Sequence, residues 1–215
     1  MDKVKENIKH IWLFGIYGII GSLYGVFNKP WNEVSNLTTI FDMKIPFLKI
    51  FIIPYYSWYV FLVGGVLFLM FNDKKSYYKA VYSLCIGVSI CYGIYLLFQT
   101  TIARPVIVGN DFLSRLVRYT YQNDNPFNCF PSIHVYTTAV IGYFLLGLKN
   151  LKSYQKYMIL TLVVSIILST VFVKQHLILD VISALGLGYF IINGINLLEE
   201  RIGTSKDEER EGTYS

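Results

Sequence analysis

Apolar residues fall in six blocks along the chain, at residues 11–27, 50–71, 80–98, 132–148, 157–173 and 177–198. Each is about long enough to cross a bilayer. A soluble amphipathic helix would show a polar face at 3.6-residue spacing, and these blocks are apolar nearly all round. The pattern predicts an all-α fold, a polytopic membrane bundle of six transmembrane helices. Residues 1–198 then form a single membrane-embedded domain, and the polar residues 199–215 a disordered cytoplasmic tail with no lipidation signal. In the first block Gly15, Gly18, Gly21 and Gly25 recur every three or four residues, which predicts a face that another helix approaches closely. Between Asp111 and Tyr121 the positions Phe112, Leu113, Leu116, Val117 and Tyr121 keep helical spacing, with Arg115 and Arg118 elsewhere on the surface. That is the pattern of a helix lying at the membrane interface.

Composition agrees, with 54% hydrophobic and 15% charged residues against about one-quarter charged in soluble domains. The net charge of +5 does not mark a nucleic-acid partner, because the basic residues sit mostly beside helix ends, where anionic headgroups lie. Their distribution orients the chain. Lys3, Lys5, Lys9, Lys74, Lys75, Lys79, Lys149, Lys152, Lys156, Arg201, Lys206 and Arg210 would lie on one side, and Lys29, Lys44, Lys49, Arg104, Arg115, Arg118 and Lys174 on the other. Twelve against seven predicts that both termini are cytoplasmic. No small-residue cleavage site follows the first block, which predicts that it stays as a helix. Cys85, Cys91 and Cys129 lack metal-ligand spacing and are assigned no chemistry.

Ionisable residues at the ends of spans are costly to place, so each invites a functional reading. Among three histidines, His10 sits at the cytoplasmic start of the first helix as an interfacial residue. His134 follows Pro131 and Ser132 at the outer start of the fourth helix. His176 and Asp180 open the sixth from the same side, and Arg104 lies just past the outer end of the third. Four polar anchors from three segments therefore meet at one membrane depth. The four-residue interval puts His176 and Asp180 on one helix face, so the carboxylate can hold one ring nitrogen and leave the other as a nucleophile. Ser132 is placed to cap the helix at His134, whose N-terminus favours an anion. Arg104 adds a planar cationic fork suited to phosphate oxygens.

These segments resemble the type 2 phosphatidic acid phosphatase superfamily of membrane lipid phosphatases and phosphotransferases. The family's Lys-x6-Arg-Pro motif is matched at Arg104 and Pro105, Pro-Ser-Gly-His at Pro131, Ser132 and His134, and Ser-Arg-x5-His-x3-Asp at Ser169, His176 and Asp180. Leu97 stands in place of the first motif's lysine, Ile133 in place of the glycine, and Thr170 in place of the third motif's arginine. The run Ser169-Thr170 to Lys174-Gln175-His176 is similar to the inositol phosphorylceramide synthase-like branch, and Lys174 is placed to supply one of the missing charges.

The resemblance implies a lipid phosphatase that uses no cofactor or metal, with Arg104, Ser132, Lys174, Ser169 and Thr170 binding substrate. His176 would attack phosphorus, His134 would protonate the leaving lipid oxygen, and a phosphohistidine would result. Water as second acceptor makes a phosphatase; a lipid or polyol hydroxyl makes a headgroup phosphotransferase. Two other readings have their own motives. His134, His176 and Asp180 offer three zinc ligands, and the absent cations at Leu97 and Thr170 suit an inactive lipid-binding homologue. Ser169 and Thr170 also have a plainer reading, in which their hydroxyls bond back to their own helix. Lys174 likewise has one, as a side chain that snorkels to the interface.

Overall fold

The computed structural model describes residues 8–31 and 33–212, with side chains through Arg201. Lys3 and Lys5, and the side chains of Lys206 and Arg210, lie outside the described residues. The helices, numbered in chain order, are α1 (Ile11–Ser22), α2 (Tyr24–Phe27), α3 (Ile40–Lys44), α4 (Ile52–Asn72), α5 (Lys74–Leu97), α6 (Phe112–Asn123), α7 (Ile133–Leu146), α8 (Ser153–Phe172) and α9 (Ile178–Gly212). A 3-10 turn (Lys49–Phe51) leads into α4, and β1 (Ser35–Asn36) pairs in parallel with β2 (Thr100–Thr101).

Local sequence sets the starts of these helices. Asp73 caps α5 by accepting from the Lys75 and Ser76 amides at 3.0 and 3.2 Å. Asp111 caps α6 through the Ser114 amide at 3.2 Å, and Ser132 caps α7 through the Val135 amide at 3.3 Å. Each cap satisfies a backbone donor that the first turn leaves unpaired. The cap on α6 starts the amphipathic helix that its spacing predicts, with Val117 fully buried and Phe112 exposed.

Helix α7 is the centre of the bundle. Ten of its fourteen residues are buried, because it packs against α4, α5, α8 and α9. Tyr136 reaches from it to α5 and donates to the Ser83 carbonyl at 2.5 Å. Outward-facing positions on the surrounding helices stay apolar, with Val60, Ile182, Tyr189 and Phe190 exposed. Such a surface suits lipid and not water.

Four helical segments are long and apolar enough to cross a membrane among the described residues: Lys49–Asn72, Lys74–Leu97, Ser153–Phe172 and Ile178–Arg201. The segments Ile11–Phe27 and Ile133–Leu146 are apolar but shorter. At 1.5 Å per residue, fourteen residues of α7 span about 21 Å, less than the roughly 30 Å hydrocarbon core. The sixth block differs at its end as well. Helix α9 continues to Gly212, past the apolar block, and Glu199, Glu200 and Arg201 are good helix formers.

Close helix approach occurs at other glycines than those of the first block. A Cβ at Gly15, Gly18, Gly21 or Gly25 would meet nothing within 4 Å. At Gly87 it would stand 2.0 Å from the Tyr136 ring, at Gly65 2.4 Å from Ile141, and at Gly142 2.7 Å from Val163. All three involve α7, since a central helix surrounded by others must be approached closely. Gly87→Ala is therefore expected to lower stability in detergent by about 1–3 kcal/mol through overpacking. Gly18→Ala, in open space, should be neutral or stabilise by up to about 1 kcal/mol; thermal unfolding of both variants checks the contrast.

Candidate active site

The first turns of α7 and α9 meet at one end of the bundle. The Ser132 amide donates to the Asp180 carbonyl at 3.2 Å, which fixes the two helix starts against each other. Across this seam the His134 and His176 rings lie 6.0 Å apart between centroids, inclined by 54°.

His176 ends the turn that follows α8. The Thr170 carbonyl accepts from both the Gln175 and His176 amides, at 2.9 and 3.0 Å, and Lys174 closes the turn with φ of +52°. The His176 ring is 3.0 Å from the Cys129 carbonyl through Nδ1. A carbonyl only accepts, so Nδ1 carries a proton, and in the neutral ring Nε2 keeps its lone pair. Asp180 is fully buried and stands 3.5 Å from the same Nδ1. Its Oδ2 accepts instead from the Leu177 amide at 2.7 Å, and its Oδ1 has no hydrogen-bond partner. The sequence assigns the ring's hydrogen bond to this carboxylate; in the structure the main chain before Pro131 takes it, and the Asp180 carboxylate stands beside the ring without that bond.

His134 is held differently. Its ring packs between Tyr55, at 4.9 Å, and Trp58, at 4.3 Å, and its Nε2 is buried without a hydrogen bond. Trp58 is fixed in turn by donating to Thr137 at 2.8 Å.

Arg104 follows β2, which is pinned between β1 and Asn128. Its guanidinium donates to the Asp124 and Tyr121 carbonyls at 2.6 and 3.3 Å and to the Gln175 side chain, and lies over the Tyr121 ring. Its Nε remains unpaired. Lys174 donates to the Asp42 and Ile45 carbonyls at 3.0 and 2.6 Å. Burial lowers its pKa, while neighbouring Asp42 acts to raise it. A cavity of 370 Å³ brings Arg104, Lys174 and His176 to one space.

The other predicted positions are not directed there. Ser169 donates to the Ile166 carbonyl at 2.6 Å and Thr170 to the Ile167 carbonyl at 2.8 Å, so both hydroxyls bond back to their own helix. Ser132 spends its oxygen on the α7 cap. Leu97 is 87% exposed and lines neither cavity beside the two rings. Nor is Arg118 a free cation: it donates to the Ile107 and Gly109 carbonyls. No cluster of three His, Cys, Asp or Glu stands in metal-holding proximity among the described residues.

Several contributors were not foreseen from sequence. The Cys129 carbonyl carries no side-chain signal at all. Tyr55 and Trp58 are spaced three apart near the start of α4, on one face, a readable cue whose target was not readable. Asp42, on α3, accepts from the Ile178 amide at 2.8 Å and so supports the start of α9 from a distant segment. Burial raises the Asp42 carboxyl, but bonds from Thr39 and the Ile178 amide, with Lys174 nearby, outweigh it and hold it below the ordinary carboxylate range.

Residues 103–202 match the family model of the PAP2 superfamily. That stretch contains Arg104, Ser132, His134, Ser169, Thr170, Lys174, His176 and Asp180. No curated protein and no solved structure matches the chain. The geometry predicts the tautomer of the neutral His176 ring: nitrogen NMR of labelled protein should show the proton of the neutral ring on Nδ1 and a bare Nε2, and a neutral ring protonated on Nε2 with Nδ1 bare would contradict the Cys129 bond.

Proposed function

We propose that the chain is an integral membrane lipid phosphate phosphatase working through a phosphohistidine on His176, by similarity to the PAP2 superfamily across residues 103–202. The observation that carries this is the pair of imidazoles 6.0 Å apart, one of them opening on a cavity with Arg104 and Lys174. In this reading residues 1–198 form one membrane-embedded unit. The shorter apolar segments Ile11–Phe27 and Ile133–Leu146 are counted in this reading as the two further crossings, α7 being surrounded by four other helices and so not needing to match the lipid by itself. The excess of basic residues on one side places both termini in the cytoplasm and the histidines outward.

The His176 tautomer suits attack, because Nε2 has the free electron pair. Nε2 bonds to phosphorus, the bond from phosphorus to the lipid oxygen breaks, and His134 gives that oxygen its proton. Phosphorylation leaves the His176 ring cationic, and buried Asp180 stands 3.5 Å away to stabilise it. A phosphate dianion beside His134 favours its protonated form, as do the faces of Tyr55 and Trp58. Water then gives a proton to His134, attacks phosphorus and displaces the Nε2 nitrogen. Arg104 and Lys174 balance the charge on the phosphoryl oxygens.

A second reading, headgroup phosphotransfer in the manner of the inositol phosphorylceramide synthase-like branch, is favoured by one observation. A separate cavity of 550 Å³ opens beside His134, with room for an alcohol in place of water. Lipid mass spectrometry on nanodiscs supplied with phosphatidic acid and candidate alcohols separates the two. Free phosphate alone indicates hydrolysis, and a new phosphate monoester of the added alcohol indicates transfer. His176→Ala should reduce either product at least about a thousandfold, as expected for loss of a nucleophile. Unchanged turnover in that variant would exclude both, and turnover abolished by chelators would support the zinc reading instead.

A further inference from the structure

The two histidines open on cavities of different character. The cavity at His176 holds Arg104 and Lys174 together with Asp42, whose carboxylate is already bonded by Thr39 and the Ile178 amide. The larger one at His134 is walled by Tyr24, Tyr55, Trp58, Tyr59 and Tyr119 and holds the Asp124 carboxylate, and no lysine or arginine among the described residues lines it.

Asp124 is bound only by neutral donors: its Oδ1 accepts from Tyr24 at 2.6 Å and from Asn28 at 2.8 Å. No basic side chain pairs with its carboxylate among the described residues. Arg104, the nearby cation, donates to the main-chain oxygen of Asp124 instead. A carboxylate without a direct ion-pair partner, set among ring faces, disfavours phosphate by charge. It also gains nothing from a hydrocarbon tail, which would strip its water without replacing it. Ring faces and a carboxylate together are the chemistry that holds an organic ammonium.

We infer that this aromatic cavity binds the ammonium group of an amino alcohol, free or as a lipid headgroup, with the hydroxyl end directed to His134. The chemical consequence rests on the phosphohistidine reading; the binding does not. In transfer, the hydroxyl gives its proton to His134, its oxygen bonds to phosphorus, and the bond from phosphorus to His176 Nε2 breaks. The reverse course releases the same alcohol from its phosphate monoester and leaves the phosphoryl group on His176.

The test uses the full chain in phosphatidylglycerol nanodiscs, which contain no ammonium headgroup. Trp12→Phe and Trp31→Phe leave Trp58 as the only tryptophan, and its fluorescence is followed as choline is added. A saturable change is expected, with choline favoured by about tenfold over its neutral isostere 3,3-dimethylbutan-1-ol. Asp124→Asn should abolish that preference, and Tyr59→Leu should weaken choline while leaving the neutral alcohol unchanged. His176→Ala should bind choline as before, which separates this inference from the reaction. No response of Trp58, equal binding of the two alcohols, or a preference that survives both Asp124→Asn and Tyr59→Leu would overturn it.

Discussion

The contact between the first turns of α7 and α9 is the constraint on which the site depends. The Ser132 amide donates to the Asp180 carbonyl, while the Cys129 carbonyl and the His176 ring close the same seam from the other direction. These are bonds in which main-chain groups take part, in a buried region, where an unpaired polar group costs far more than a bond gains. Sliding one helix start past the other would unpair several at once. The distance between His134 and His176 is thereby set by backbone geometry, and the burial of α7 on four sides holds it there.

Around that seam the cations gather on one side. Arg104, Lys174 and His176 line one cavity, with Asp42; His134, ring faces and Asp124 line the other. Much of the cations' hydrogen-bonding capacity is already used on carbonyls and on Gln175. That fixes where the positive charge stands before a ligand arrives, and a preorganised field needs little rearrangement when charge develops. It also suggests how a chain lacking lysine at position 97 and arginine at position 170 keeps a cationic cavity: Lys174 reaches it from the turn that carries His176.

Sequence reasoning reached the gross architecture because lipid imposes a simple rule, apolar surface all round, which leaves long unbroken blocks. It singled out His134, His176, Asp180 and Arg104 because ionisable residues at span ends are conspicuous, and the fold sets the two rings 6.0 Å apart. Sequence reasoning was weaker where the determinant is not a side-chain type. Whether a glycine is crowded depends on which helix lies opposite, so the regular series from Gly15 to Gly25 pointed to close packing that Gly65, Gly87 and Gly142 supply instead. The partner of His176 is a carbonyl, invisible in composition, and the hydroxyls of Ser169 and Thr170 obey the local geometry of their helix. Asp42 contributes across a large sequence separation, and no periodicity announces such a contact.

The most direct measurement is rapid-quench labelling with phosphatidic acid carrying ³²P, followed by mapping of the acid-labile phosphoryl group. Label on His176, absent in His176→Ala and retained longer when His134→Ala slows its removal, is the predicted result. Label on any other residue would contradict the account. So would turnover with inversion at a chiral phosphorus, the mark of a single displacement by water.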